Sequence, residues 1–216
     1  MKIDAVIMAK STMLGNFCVA GIDINSGKWV RFVSFEDGNP LADFQLMFVN
    51  QGGSCQPLDI GRIGIAGKVP KLNHSEDCMI KYTPWLNMGH MEIENVLEIH
   101  PAENHEYIFG NVENYIDEIE MQRYGFNYSL ILIQVKDLQI IFEKNFKQEL
   151  KGRADFLYNG RQYKHMRITD PEYQLHNNNS MIADFKITAS KAYLVISMPA
   201  QSFYGRYYKL VAKIFI

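Results

Sequence analysis

Along the first ninety residues the apolar positions fall in short runs broken by turn residues, not at helical spacing. "KIDAVIMAK" is apolar and β-rich, and "NFCVAGIDI" follows after Leu14-Gly15-Asn16. Ser26-Gly27 turns the chain into "KWVRFVS". A period of two puts Val30 and Phe32 on one face of that strand, and Trp29, Arg31 and Val33 on the other. "DIGRIGIAGKV" is a further strand, in which Gly61, Gly64 and Gly67 permit bends or close backbone approach. Repeated strands with turn signals predict a small barrel or sandwich.

The middle changes period. In "NVENYIDEIEMQRYG", Val112, Tyr115, Ile116, Ile119 and Arg123 fall on one helical stripe, with Asn111 as N-cap and Gly125 past the end. "EIENVLEI" predicts a second short helix, halted by Pro101. The last ninety residues return to strands: "SLILIQV", "LQIIFEK", "ADFLY", "RQYKHMRIT", "AYLVISM" and "RYYKLVAKIFI", with a loop at Asn177-Asn178-Asn179. Strands, helix, strands suits two small β-barrels better than an alternating parallel α/β sheet. The expected organisation is a first barrel over 1–91, an acidic helical connector over 92–125, and a second barrel over 126–216.

Charge sharpens that division. The net charge is −2, which taken alone argues against an anionic ligand. Residues 1–125 hold 9 Lys+Arg against 17 Asp+Glu, net −8, and residues 126–216 hold 13 against 7, net +6. Glu92–Glu120 carries nine acids and no Lys or Arg. Local fields, not totals, steer a charged ligand. The acidic connector is expected to keep away from any phosphate-binding face.

No run approaches the length of a membrane span, and the N-terminus is too broken by charge for a secretory signal. Cys18, Cys55 and Cys78 are an odd set without paired spacing, which suggests reduced thiols in a cytoplasmic protein. His74 and Cys78, with Cys55 upstream, come nearest to a zinc spacing, but C-x₂-C and H-x₃₋₅-H are both absent. His90, His100 and His105 read as loop residues around the acidic segment. Phosphate-binding glycine loops and a nucleophile elbow are missing. These absences predict no metal, no cofactor and no enzymatic chemistry.

The aromatic and basic positions carry more. Single-stranded nucleic acid is held by bases stacked on aromatic rings, with cations along the phosphates. Asn159-Gly160 is a type I′ hairpin signal, and "RQYKHMRIT" after it reads as a strand. Strict alternation puts Arg161, Tyr163, His165 and Arg167 on one face, basic and aromatic with no aliphatic residue. Trp29 and Arg31 form a second candidate pair, although Trp29 also suits half-buried packing. Arg206, Tyr207 and Lys209 form a third, and since Tyr207 and Tyr208 point oppositely, one belongs to the core.

"CVAGIDINSGKWVRFVS", "PLDIGRIGI", "YNGRQYKHMRITDPEY" and "YYKLVAKIFI" together resemble the bacterial dual OB-containing domain family. The matching positions are Lys10, Gly21, Trp29, Arg31, Tyr163, Thr169, Asp170, Tyr208, Lys209 and Leu210. Phe32 stands where members tend to have proline. The resemblance implies two OB-like barrels and a nucleic-acid-binding role in processing or defence. The expected function is non-enzymatic binding of nucleic acid, single strands in preference to duplex, through Trp29, Arg31, Arg161, Tyr163, His165, Arg167, Arg206 and Lys209. The alternatives are a protein-interaction module whose acidic connector docks a basic partner, and an enzyme whose site is scattered along the sequence.

Overall fold

The computed structural model describes residues 1–13, 15–144, 150–173 and 186–216. The turn expected at Leu14-Gly15-Asn16 thus lies partly outside the described residues, and the Asn177-Asn178-Asn179 loop wholly so. The chain forms two compact units, Met1–Pro101 and Ala102–Ile216.

The first unit contains β1 (Lys2–Met13), β2 (Asn16–Asp23), β3 (Trp29–Val33), β4 (Asp59–Lys68), β5 (Asp77–Ile80), β6 (Leu86–His90) and helix α1 (Ile93–Ile99). Its strands pair in the order β1-β2-β3-β5-β4-β6, and a further β1–β4 pairing closes five of them into a ring. The β3–β5 pair is parallel. As period two requires, Val30 and Phe32 enter the core with Ile7, Val19, Ile63 and Trp85.

The second unit contains β7 (Tyr115–Asp117), α2 (Glu118–Tyr124), β8 (Leu130–Lys144), β9 (Leu150–Tyr158), β10 (Arg161–Ile168), β11 (Lys186–Ser197), β12 (Arg206–Tyr208) and β13 (Leu210–Phe215). It is a closed barrel in the order β10-β13-β11-β8-β9. Numbering each unit's five ring strands in chain order, both rings run 1-2-3-5-4 and return to 1, and in both the 3–5 pair is parallel. A β-rich chain with two such rings fits the fold that the resemblance implies.

The helical connector is not what forms over 92–125. Residues up to 101 belong to the first unit and the rest to the second. Tyr115, Ile116 and Asp117 are extended, because they pair with Tyr208, Tyr207 and Arg206. The helix therefore starts later, at Glu118, with Asp117 as its cap: the carboxylate accepts from the Glu120 N–H at 2.8 Å, and Gly125 ends it at φ 60°. Strand pairing has overridden a helical stripe. "SLILIQV" and "LQIIFEK" form one strand rather than two, with a bulge where Asp137 takes φ 51°.

Candidate nucleic-acid interface

The β9–β10 hairpin turns through Asn159 (φ 49°) and Gly160 (φ 74°), the two positive angles a type I′ turn needs. From there the strand does not keep one phase. Tyr163 pairs with Phe156 and Met166 with Ala154, so Lys164 and His165 together oppose Asp155 alone. This is a β-bulge, with His165 at φ 54° and its N–H donated to the Asp155 carboxylate at 2.7 Å. The extra residue reverses the alternation. Tyr163, Met166 and Ile168 all point into the core, while Lys164, His165 and Arg167 point out.

The four-residue face expected from strict alternation is therefore split. Tyr163 is 0% exposed, stacked on Phe156 at 5.5 Å, and its hydroxyl accepts the Ile108 N–H at 3.0 Å. Burial pushes its hydroxyl pKa up. It is a core residue and offers no ring to a base. Arg161 is also committed: its guanidinium lies 4.3 Å from the Tyr107 ring centre and pairs with the Glu106 carboxylate at 3.2 Å. The acidic segment expected to avoid the basic face thus supplies that arginine's partner.

The outward face of β9–β10 keeps the rest. Arg153 and Arg167 stand directly opposite each other in register. Like charges so placed repel, a cost that a bound anion relieves. Burial and the neighbouring Arg153 both push the Arg167 pKa down. Glu143 lies 3.7 Å from Arg153 and 3.5 Å from His165. Among the described residues Arg167 and Lys164 make no ion pair.

The chain between β11 and β13, strands 4 and 5 of this ring, adds aromatic surface. Tyr204 (φ 51°) and Gly205 (φ 74°) form a tight turn, closed by paired backbone hydrogen bonds between Phe203 and Arg206. Side chains at a turn tip have no core to enter, so Phe203 is 64% and Tyr204 91% exposed, with ring centres 4.4 Å apart. Arg206 lies 4.2 Å from the Tyr115 ring centre. The end of this segment reaches β10: Arg167 is in register with Leu210, and Asn114 bridges the His165 carbonyl and the Lys209 N–H.

Lys209 is not on this surface. It is 1% exposed, and its ammonium donates to the Asn111 carbonyl and side-chain oxygens at 2.8 and 2.7 Å. Burial pushes its pKa down to about 7, against the opposing pull of Glu120 and Glu113. Asp170 is another buried anchor, accepting from Lys213 at 3.0 Å and the Ile214 N–H at 3.2 Å.

In the first unit Arg31 is also withdrawn. It is 9% exposed, 3.5 Å from Asp77 and 3.7 Å from Glu76, with His74 3.6 Å from Asp77. Two carboxylates already neutralise it, so it offers no charge to phosphate. Trp29 is half-buried, edge-on to His100 at 5.4 Å. Burial raises the pKa of all three cysteines, that of Cys55 to about 12, so none is an activated thiolate. Among the described residues no cluster of three or more His, Cys, Asp or Glu is placed to hold a metal ion.

Of the expected residues, His165 and Arg167 share the outward face of β10 and Arg206 lies on β12 against Tyr115, while Tyr163, Lys209 and Arg31 are withdrawn into the structure. Sequence reasoning missed Arg153, Lys164, Phe203 and Tyr204. For Phe203 and Tyr204 the available signal was "FYGR", two aromatics leading into a glycine turn.

Division at 101/102 weakens the charge contrast. The first unit has 8 Lys+Arg against 11 Asp+Glu, net −3, and the second 14 against 13, net +1. No helix among the described residues is long and apolar enough to cross a membrane. A family model described as a dual OB-containing domain matches residues 3–214. No curated protein and no solved structure matches the chain.

Proposed function

The chain belongs to the dual OB-containing domain family, and on that premise we propose that its second barrel binds single-stranded nucleic acid. The observation that carries this reading is the outward face of β9–β10. Arg153 and Arg167 stand opposed across the strands, Lys164 and His165 lie beside them, and the exposed Phe203–Tyr204 turn lies in the chain that leads into β13, the strand paired with β10. OB barrels bind oligonucleotides on their strand 2–3 face and on the strand 4–5 loop, and these are the corresponding places. Arg167 takes phosphate oxygens, beside Arg153, which Glu143 already holds at 3.7 Å. The two exposed rings take bases, with a preference for single strands because duplex bases are already stacked. The protein acts as a non-enzymatic, cytoplasmic binding module in bacterial nucleic-acid processing or defence.

The test is fluorescence anisotropy with oligo(dT), oligo(rU) and a mixed-sequence duplex at several salt concentrations. Binding of single strands that weakens linearly in log K against log salt supports the reading. An absence of single-strand binding at low salt sinks it.

A further inference from the structure

The first barrel carries an apolar groove with a cationic end. Phe44, Met47, Val49, Tyr82 and Pro84 line it over Trp85, around a volume of about 340 Å³. Phe44 is 73%, Val49 61% and Tyr82 68% exposed, an apolar concentration that a solvent-facing surface does not need. The groove continues through Val49, Lys81, Thr83 and Pro84 into a second hollow of about 580 Å³, reached by Lys2 and Arg62. Arg62 is neutralised by Asp4, through two hydrogen bonds of 2.7 Å. Among the described residues Lys2 and Lys81 make no ion pair, and no carboxylate lines either hollow.

We infer that this groove docks an extended acidic segment of a protein partner, with a bulky apolar side chain in the Phe44–Trp85 hollow and carboxylates on Lys81 and Lys2. The charge fixes the sign of the occupant: the lining residues include Lys81 and Lys2 and no carboxylate, and the nearby Asp4 is held by two hydrogen bonds to Arg62, so the groove complements an anionic ligand. The walls fix its class. Met47, Val49 and Pro84 grip an aliphatic or aromatic side chain on several sides. They set aliphatic groups on several sides of the hollow where the Phe203–Tyr204 turn offers two open rings, and the one side-chain amide there, Gln45, commits its oxygen to the Ala42 N–H at 2.9 Å. The groove is built by residues of the first unit alone, and the nucleic-acid face proposed above by residues of the second.

Trp85 supplies the readout. It is 1% exposed, forms the floor of the hollow, and its indole N–H is buried with no acceptor among the described residues. The chain has two tryptophans, Trp29 and Trp85, so an ¹⁵N-labelled sample gives two separable indole resonances. The probe is an end-blocked hexapeptide, Glu-Glu-Leu-Phe-Glu-Glu. Its comparisons are Lys-Lys-Leu-Phe-Lys-Lys, Glu-Glu-Ala-Ala-Glu-Glu and a short oligo(dT). The expected result is a saturable shift of the Trp85 resonance by the first peptide alone, with Trp29 unmoved. Lys81→Glu should weaken that binding roughly fivefold, as replacing one exposed attraction by repulsion does. Tyr82→Ala should weaken it at unchanged charge. Both positions are exposed, and the remaining amide spectrum verifies that the variants fold. An unmoved Trp85 resonance, an equal response to the lysine peptide, or a Trp85 shift with oligo(dT) in place of the acidic peptide would each overturn the inference.

Discussion

Two arginines at corresponding places in the two rings have opposite fates. Arg31 lies on β3 and Arg167 on β10, each on the third strand of its ring and each pointing away from its core. In both rings that strand pairs in parallel with the fifth. The register sets Arg31 against Asp77 and Arg167 against Leu210. The first arginine is neutralised inside the structure, while the second keeps its charge at the surface beside Arg153. One fold thus carries a structural cation in one copy and a presented cation in the other, and the cross-strand partner makes the difference.

The sharpest way to break this contrast is to remove the structural arginine. Arg31→Ala removes the guanidinium from between the buried Asp77 and Glu76, which costs about 3–5 kcal/mol. The first unit should unfold at lower denaturant, read by tryptophan emission because Trp29 and Trp85 both lie there. Nucleic-acid affinity of the folded variant should be unchanged. A loss of affinity with intact stability would make Arg31 a ligand residue after all.

Next comes the stacking pair. Phe203→Ala with Tyr204→Ala should weaken single-strand binding roughly a hundredfold, at about 1–3 kcal/mol for each ring. Leu72 is 84% exposed between strands 4 and 5 of the first ring, and Leu72→Ala should leave affinity unchanged. Equal effects in both loops would dissolve the distinction between the barrels.

Lys209 gives a smaller effect, specific to the second barrel. Its folded pKa of about 7 lies below its unfolded value, so between pH 7 and 10 the unfolded chain binds the extra proton. Stability of the second unit should therefore rise with pH across that window, by at most about 1.4 kcal/mol per pH unit. Chemical denaturation followed by tyrosine signals at pH 7 and 9 measures it. Lys209→Met should flatten the rise, and an unchanged slope in that variant would assign it to other groups.

The smallest effect is on salt dependence. Arg167→Ala should make the log K against log salt slope shallower by about 0.7, one phosphate contact on a single strand. Arg161→Ala should change the slope less, since Glu106 already holds that guanidinium. A reversed ranking of the two would restore the face expected from strict alternation.

What the sequence disclosed, and what it withheld, follows from the range of the interactions. Val30 and Phe32 facing inward, the Asn159-Gly160 turn and the β-rich ends rest on neighbours a few residues apart, and all were readable. The fate of Arg31 depends on Asp77, far along the chain and adjacent only through ring closure. The start of α2 moved because β12 pairs with Tyr115–Asp117, another distant partner. Tyr163 was misplaced for a local reason that leaves no compositional mark, since nothing in "YKHM" shows where an extra residue sits. The rings that the loop between β11 and β13 exposes are Phe203 and Tyr204, at the turn through Gly205.

The bulge in β10 also bears on how the chain tolerates changes in length. With a single outward residue between Tyr163 and Met166, the strand would alternate regularly and present the same Tyr163, Met166 and Ile168 to the core. The bulge amounts to one inserted residue that the interior does not register, and the gain is one more outward side chain beside Arg167. Deleting Lys164 should therefore leave a folded barrel with a narrower cationic face. Position 164 is where this strand can grow or shrink by one residue while the packing beneath it stays the same.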